Sequence, residues 1–326
     1  MESRLAFALE RGLFDVSTGV LAVWGAQALS DLTALPRDAV RIVQGYRPDV
    51  DALSAAGFSV GPEEPADAAL GIVLVPRERA RARAWIAAAA RVSRGPVVVD
   101  GAKSDGIEGI LRDLRKRAEM SDVLSKHHGK LAVLAPGADL SDWEDPGPKD
   151  IGGFVTQAGV FSADGVDPGS VLLADALPGD LQGRIVDLGA GWGYLSKTVL
   201  SCPGVRACHL VEADFTALNC ARINVRDPRA KFHWADATRF DAATGFDAAV
   251  MNPPFHRGRT GDPGLGQAFI AHARTLLRKN GILWLVANRH LPYENTLATQ
   301  FKEVAGIGGD RSFKLFRAAR PRQSGA

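Results

Sequence analysis

The chain has 326 residues, enough for two domains of ordinary size, and apolar residues make up 46% of it, which suits buried sheets and excludes a disordered chain. With 39 Lys and Arg against 37 Asp and Glu, the formal net charge is only +2, which is no strong nucleic-acid footprint and leaves a local basic patch open, so charge neither supports nor excludes RNA. Cys202, Cys208 and Cys220 form no C-x-x-C pair, no even disulfide framework and no cluster with metal-ligand spacing, so reduced thiols, no metal and a cytoplasmic setting are expected.

The start, Met1-Glu2-Ser3-Arg4, lacks the apolar core of a signal peptide, and no apolar run reaches membrane-spanning length. The sequence does not address oligomeric state, and a monomer is the expectation. Short β-rich runs follow: Val20-Trp24, Val40-Gln44, Leu70-Val75, Val97-Asp100 and Leu131-Leu134. Between the third and fourth, Arg77 to Arg94 reads as a helix rich in Ala and Arg, stopped by Gly95-Pro96. Strands alternating with helices predict a parallel sheet. The stretch Pro136 to Gly153 is rich in Pro, Gly and Asp, has no periodicity and reads as a linker. The domain boundary is accordingly placed between residues 147 and 148.

The rhythm then repeats. Arg184-Gly189, Ala207-Glu212, Lys231-Ala235, Phe246-Met251 and Ile282-Ala287 read as strands. Gly266 to Lys279 has the helical spacing of Phe269, Ala273, Leu276 and Leu277, with Gly281 just past its end. Two similar halves suggest an old duplication, although no residue-level repeat is visible.

Four motifs in the second half carry chemistry. Ile185-Val186-Asp187-Leu188-Gly189-Ala190-Gly191-Trp192-Gly193 is an apolar strand that feeds an acid and a glycine turn before a helix starting near Tyr194. Glycines let backbone approach a ligand closely. The spacing is G-x-G-x-G rather than the dinucleotide G-x-G-x-x-G, which argues against a nicotinamide oxidoreductase. Asp187 would repel a pyrophosphate but suits a ligand that bears an ammonium group. Glu212 ends the next strand, where a carboxylate can accept both hydroxyls of a ribose. Asp236, with Ala237 beside it, ends the strand after that and can accept from an adenine amino group. Taken alone, Glu212 reads better as a solvated strand-end carboxylate, and Asp236 also reads as a loop residue or a helix cap. Three at three successive strand ends are informative.

The fourth motif, Asn252-Pro253-Pro254-Phe255, follows the strand Ala248-Met251 and points to the reaction. Two prolines fix the backbone, so the Asn252 side-chain oxygen and the Pro253 carbonyl can accept both hydrogens of an NH2 group. Phe255 offers a face for a flat base. An exocyclic amine is a poor nucleophile because its lone pair is delocalised. Two acceptors localise that lone pair and aim it, so positioning and electrostatics carry the transfer.

Together these residues resemble the class I S-adenosylmethionine-dependent methyltransferases. Asn252 to His256 (NPPFH) narrows the resemblance to the ribosomal RNA guanine-N2 methyltransferases of the RsmC/RlmG type. Gly159-Val160-Phe161-Ser162, Asp167, Gly169-Ser170 and Leu172-Leu173 resemble that family's G-V-F-S…D-x-G-S-x-L-L segment. The resemblance implies two tandem Rossmann-like domains. Residues 1–147 would form a degenerate copy that helps recognise or support RNA binding, and residues 148–326 a catalytic seven-strand sheet. It also implies S-adenosylmethionine as cofactor and a guanine N2 amine of ribosomal RNA, free or in a subunit, as acceptor. Asp187, Gly189, Ala190, Gly191 and Gly193 would hold the methionine part, Glu212 the ribose, Asp236 and Ala237 the adenine, and Asn252 would stand between cofactor and base. Asn252, Pro253, Pro254 and Phe255 would form the catalytic string. The same chemistry on adenine N6 or a protein glutamine amide is the alternative, and a non-catalytic RNA-binding scaffold is an alternative of another class.

Ala190 stands where many relatives carry Cys, Trp192 is bulky for the turn, and Arg257-Gly258-Arg259 follows the catalytic string where relatives have a shorter polar segment. Trp192 must point away from the cofactor or line the pocket wall. Phe161 and Ser162 are candidates for a flap. His256 reads as a substrate contact or a structural residue rather than a base. Six arginines and one glutamate between Arg77 and Arg94 could grip phosphates or simply face solvent. Arg311, Lys314, Arg317, Arg320 and Arg322 near the end pose the same choice. Trp85 and Trp143 read as packing anchors.

Overall fold

The computed structural model describes residues 3–17, 19–254, 256–257, 260–261 and 263–322. The chain divides into two compact units, Met1–Gly147 and Pro148–Ala326. Phe255, Gly258 and Arg259 lie outside the described residues.

The first unit runs α1 (Arg4–Glu10), β1 (Leu21–Trp24), β2 (Val40–Val43), α2 (Arg47–Ala55), β3 (Ser59–Gly61), β4 (Leu70–Leu74), α3 (Arg79–Val92), β5 (Val97–Ala102), α4 (Ile107–Leu114), β6 (Leu124–Lys126) and β7 (Gly129–Leu134). Its strands form one sheet in the order β3-β2-β1-β4-β5-β7-β6.

The second unit begins with a short hairpin, β8 (Lys149–Asp150) and β9 (Val155–Thr156), then α5 (Pro168–Ala176), β10 (Gly183–Leu188), α6 (Tyr194–Leu200), β11 (Val205–Glu212), α7 (Phe215–Asn224), β12 (Ala230–Trp234) and β13 (Phe246–Met251). It ends with the pair β14 (His256–Arg257) and β15 (Thr260–Gly261), α8 (Pro263–Leu276), β16 (Leu277–Asn288), α9 (Tyr293–Gln300), β17 (Phe301–Gly309) and β18 (Phe313–Pro321). The sheet order β12-β11-β10-β13-β16-β18-β17 repeats that of the first unit strand for strand. In both, the last two strands are antiparallel additions to a parallel sheet.

The strands form because their apolar residues alternate between two cores. Val186, Leu188, Ala249 and Met251 point to one side of the second sheet, and Ile185, Ala248 and Val250 to the other. In the first sheet Ala22 and Trp24 face one core, and Leu21 and Val23 face another. Both faces are covered by helices, which is why these runs read as continuously apolar.

Several elements differ from the sequence reading. The stretch taken as a linker is partly core: the turn Ser141–Trp143 buries Leu140 and Trp143 in the first unit, and Lys149–Asp150 pairs with β9 in the second. Helix α8 spans Pro263–Leu276, and Leu277 already belongs to β16, where it pairs with Phe246. Gly281 is therefore no helix stop. A Cβ there would lie 2.8 Å from that of Leu277, so glycine lets the strand bend past the exposed Arg278–Asn280.

Candidate active site

In a sheet of this order the chain turns in opposite directions on leaving β10 and β13, and a crevice opens at the carboxyl ends of the central strands. Register brings the motifs there. Leu188 pairs with both Val211 and Met251, and Glu212 with Trp234. Gly189 and Asn252 are thus the next residues on adjacent strands, about 4.8 Å apart in strand spacing. Both line one open cleft together with Ala190, Gly191, Asp167, Ser170, Phe161 and Trp192.

The glycine turn owes its shape to backbone that other residues rarely adopt. Gly191 sits at φ +54° and Gly193 at φ +92°. A Cβ on Gly193 would lie 2.8 Å from Val225, whereas one on Gly191 would meet nothing within 4 Å. Gly193 is therefore needed for packing, and Gly191 leaves space at the cleft. Glu212 splints the turn: its two carboxylate oxygens accept from the Gly191 N–H at 2.8 Å and the Asp214 N–H at 2.7 Å. Burial pushes its carboxyl up to about 7, against the pull of those two amides.

Asp187 is fully buried and does not line the cleft. One oxygen accepts from the Ser196 hydroxyl at 2.6 Å, and the other is buried without a partner among the described residues. Burial pushes this carboxyl up to about 7 as well. Asp236 is half-buried and holds a local turn, accepting on one oxygen from the Thr238 N–H at 2.8 Å and hydroxyl at 2.7 Å. The Ala237 side chain belongs to the core with Phe240 and Phe269. Only its backbone remains to offer a ligand.

Asn252 lines the cleft with its orientation fixed. Its amide nitrogen donates to the Asp167 carboxylate at 2.8 Å and to the Ser170 hydroxyl at 2.9 Å. Both N–H groups are thereby used, and the carbonyl end of the amide is the acceptor it presents. Pro253 is buried and Pro254 exposed.

Sequence reasoning assigned no role to Asp167 and Ser170, although Asp-Pro opening a helix is a readable cap. It also missed Asn224, whose amide nitrogen donates to the Val155 and Trp192 carbonyls, both at 2.8 Å, while its oxygen accepts from the Val155 N–H at 2.7 Å. Nothing marks an asparagine at a helix end as such a clamp. The Trp192 ring packs on Phe154 and Tyr194, and its N–H donates to the Phe161 carbonyl at 3.1 Å. This ties the segment that carries the exposed Phe161 to the rim of the cleft.

The described residues of the first unit form no such site. Trp24 pairs with Val43 and Val73 as Leu188 pairs with Val211 and Met251. The same register therefore places Val23 at the position of Asp187, Gln27 at that of Gly191, Gln44 at that of Glu212 and Leu74 at that of Asn252. A Cβ on Gly25 would lie 2.6 Å from the Trp85 ring, so that side chain occupies the space above the turn. The arginines of α3 are also largely spoken for. Arg79 and Arg83 both hold Asp113, Arg91 holds Glu64, and Arg94, just past the helix, holds Asp67. Near the end of the second unit, Lys314 pairs with Glu294, Arg320 with Glu303, and Arg322 donates to the Ala298 and Phe301 carbonyls.

Among the described residues no group of three His, Cys, Asp or Glu could hold a metal ion, and no helix is long and apolar enough to cross a membrane. The residues present fit S-adenosylmethionine: an open cradle at Gly191, and Glu212 at the end of the neighbouring strand with carboxylate oxygens that only accept.

Sheet order, glycine turn and an asparagine-diproline corner define a class I methyltransferase. The family model described as "methyltransferase small domain" matches residues 152–317, and the chain belongs to this family. Ribosomal RNA small subunit methyltransferase C of Shewanella oneidensis is 29% identical over 243 residues, covering 71% of this chain and 70% of that one. Its namesake from Shewanella loihica is 29% identical over 234 residues, covering 68% of each chain. Among solved structures, a 16S rRNA N2 methyltransferase (RsmC) of T. thermophilus in complex with AdoMet and guanosine superposes with a TM-score of 0.79 at 24% identity, covering 98% of this chain and 92% of that one. That likeness shows the same tandem fold in both halves.

Proposed function

We propose that the chain transfers the methyl group of S-adenosylmethionine to the exocyclic N2 amine of a guanine in ribosomal RNA. One observation carries the reading: Asn252 stands beside the glycine turn with both amide N–H groups engaged, so an acceptor faces the cleft. An NH2 group is the ligand that such an oxygen, joined by the Pro253 carbonyl, is built to hold. The names of the curated relatives, and the guanosine bound in the RsmC structure, support guanine in ribosomal RNA as the acceptor.

When bound, S-adenosylmethionine supplies an electrophilic methyl. Gly189 to Gly193 would seat its methionine part, Glu212 would accept from its ribose, and Asp236 with the Ala237 backbone would meet its adenine. Asn252 and Pro253 hold both amine hydrogens and direct the nitrogen lone pair along the line of displacement. With the methyl group supplied by the bound cofactor, the amine that Asn252 and Pro253 hold would give up one of its hydrogens as a proton to water. A base stacked in a helix must first be flipped out.

We assign residues 148–326 the catalytic role and residues 1–147 a supporting or RNA-recognising one. Internal pairing of the α3 arginines favours support over a phosphate grip on that helix. A cytoplasmic setting fits this substrate.

The test incubates purified protein and labelled cofactor with each ribosomal subunit and with free RNA, using Asn252→Ala as control, and analyses nucleosides by mass spectrometry. N2-methylguanosine that depends on Asn252 is the expected product. Label in N6-methyladenosine or in protein would reject the assigned acceptor.

A further inference from the structure

We infer that Asp167, together with Ser170, is a positioning residue that sets which end of the Asn252 amide faces the substrate, and so makes the site selective for an NH2 donor. This deepens the reading above and rests on it.

The two ends of a carboxamide are nearly equal in size and differ in what they bond. Left to itself, Asn252 could present either its oxygen or its nitrogen to the cleft. An ionised carboxylate only accepts, so the group facing Asp167 has to be the nitrogen. The geometry is direct: the amide nitrogen donates to Asp167 at 2.8 Å and to Ser170 at 2.9 Å, across 85 and 82 residues of sequence. A flipped amide would put oxygen against the carboxylate and aim N–H groups at the amine, donor against donor.

Asp167 is itself held. It is the N-cap of α5, and the oxygen that takes Asn252 also accepts from the Ser170 N–H at 2.8 Å. Pro168 fixes the first helical residue. Gly169 permits close packing on β18, since a Cβ there would lie 2.9 Å from the Phe313 ring. The string Asp-Pro-Gly-Ser is thus one device: a cap, a stiff start, a close approach and a second acceptor, all serving one side chain on another element.

The cap and the positioning role come apart by substitution. Serine caps a helix as well as aspartate does but is too short to reach Asn252. Asp167→Ser is therefore expected to fold, with Tm lowered only by the loss of the one bond to Asn252, and to bind S-adenosylmethionine normally. Its kcat on the ribosomal substrate should fall by about 10- to 100-fold, the range expected for losing a charge-assisted hydrogen bond that acts at the transition state. Asp167→Asn keeps one acceptor oxygen and should fall between Asp167→Ser and the wild type. Because Asp167 acts through Asn252, the double variant Asp167→Ser/Asn252→Ala should be no slower than Asn252→Ala alone, within about twofold.

Wild-type kcat in Asp167→Ser overturns the inference. So does a double variant whose loss is the product of the single losses. A cofactor affinity that falls by the same factor as kcat also overturns it, since Asp167 would then be a cofactor ligand. Should Asp167→Ser fail to fold, Ser170→Ala decides: a loss of about three- to tenfold in kcat, absorbed by Asn252→Ala, upholds the inference, and an unchanged rate overturns it. A fully active Asn252→Ala would instead sink the underlying reading of the site, a separate outcome.

Discussion

Substituting alanine at two neighbouring glycines separates ligand approach from packing. Gly191→Ala places a side chain at φ +54° with nothing within 4 Å of its Cβ, so the cost to the protein alone is the left-handed conformation, about 1–2 kcal/mol. For a unit of this size that is a fall of about 2–8 °C in the Tm of the second unit. The new methyl group stands at the cleft, however. At a cofactor concentration of about 100 times Kd, the wild-type protein should gain about 2.7 kcal/mol from S-adenosylmethionine, and Gly191→Ala should lose most of that gain. Gly193→Ala meets the same backbone strain and also brings its Cβ to 2.8 Å from Val225, so it should be destabilised further before any ligand is added. Thermal unfolding of each variant with and without cofactor separates the two effects. If Gly191→Ala kept the full cofactor-induced rise in Tm, the methionine part would not lie against this turn, and the assignment of the cleft would be wrong.

Three further outcomes follow from the site. Asp187 and Glu212 have carboxyls raised to about 7, so the stability each lends by staying protonated is complete below about pH 4 and lost as pH rises through 7. His209, pushed down to about 4 by burial, is already neutral above 6.5 in both states and adds little there. Between pH 6.5 and 8 the apoprotein should lose Tm. Over the same range cofactor affinity should rise, by up to about tenfold from pH 6 to 8 for each carboxylate that must ionise, and calorimetry showing parallel trends would contradict this. Calorimetry should also find one S-adenosylmethionine per chain, because Leu74, Gln27 and Trp85 replace the needed groups in the first unit; a stoichiometry of two would refute that. Trp192→Phe keeps the packing on Phe154 but removes the bond to the Phe161 carbonyl, and should cost about 1 kcal/mol and speed cofactor release. Unchanged release would remove the Phe161 segment from the cofactor site.

The central strands and the catalytic corner were legible because their signals are local: apolar runs, a glycine turn, consecutive prolines. Registers between strands were not, and they alone bring Asn252 next to Gly189. Strand β17 escaped because all its residues but Phe301 and Ile307 are exposed, so no alternation marks it. The basic residues near the end looked like a tail because the pattern hid β18, in which Arg317 and Arg320 flank buried Ala318 and Ala319. The burial of Asp187 is not visible in its place before the turn. It arises from the helix that follows, where Ser196 closes over the carboxylate. A long-range pair such as Asn252 and Asp167 has no spacing rule to betray it.

The duplicate sheet shows why one unit can keep the architecture without the chemistry. Glu212 has two acceptor oxygens and needs donors, which the Gly191 and Asp214 amides supply and ribose hydroxyls can supply in turn. Gln44 occupies the equivalent register but satisfies itself: its oxygen accepts from the Tyr46 N–H at 2.9 Å, and its nitrogen donates to the Ala26 carbonyl at 2.7 Å. One N–H and one lone pair close the turn from within, and the amide lacks the second acceptor oxygen with which a carboxylate could take both hydroxyls of a ribose. Gln44→Glu should still not create a second cofactor site, because the Trp85 side chain occupies the space above the turn. The carboxyl it introduces can, when protonated, donate to Ala26 as the amide does. Once ionised it sets a buried charge against a carbonyl, so its pKa must be raised. By linkage the variant should match the wild type below about pH 4, lose about 1.4 kcal/mol per pH unit between the unfolded pKa of about 4.3 and its raised folded pKa, and level off above that, seen as a falling Tm of the first unit. A pH-independent Tm difference from wild type, or a gain of S-adenosylmethionine binding, would show that the Gln44 turn is not closed in the way its two hydrogen bonds imply.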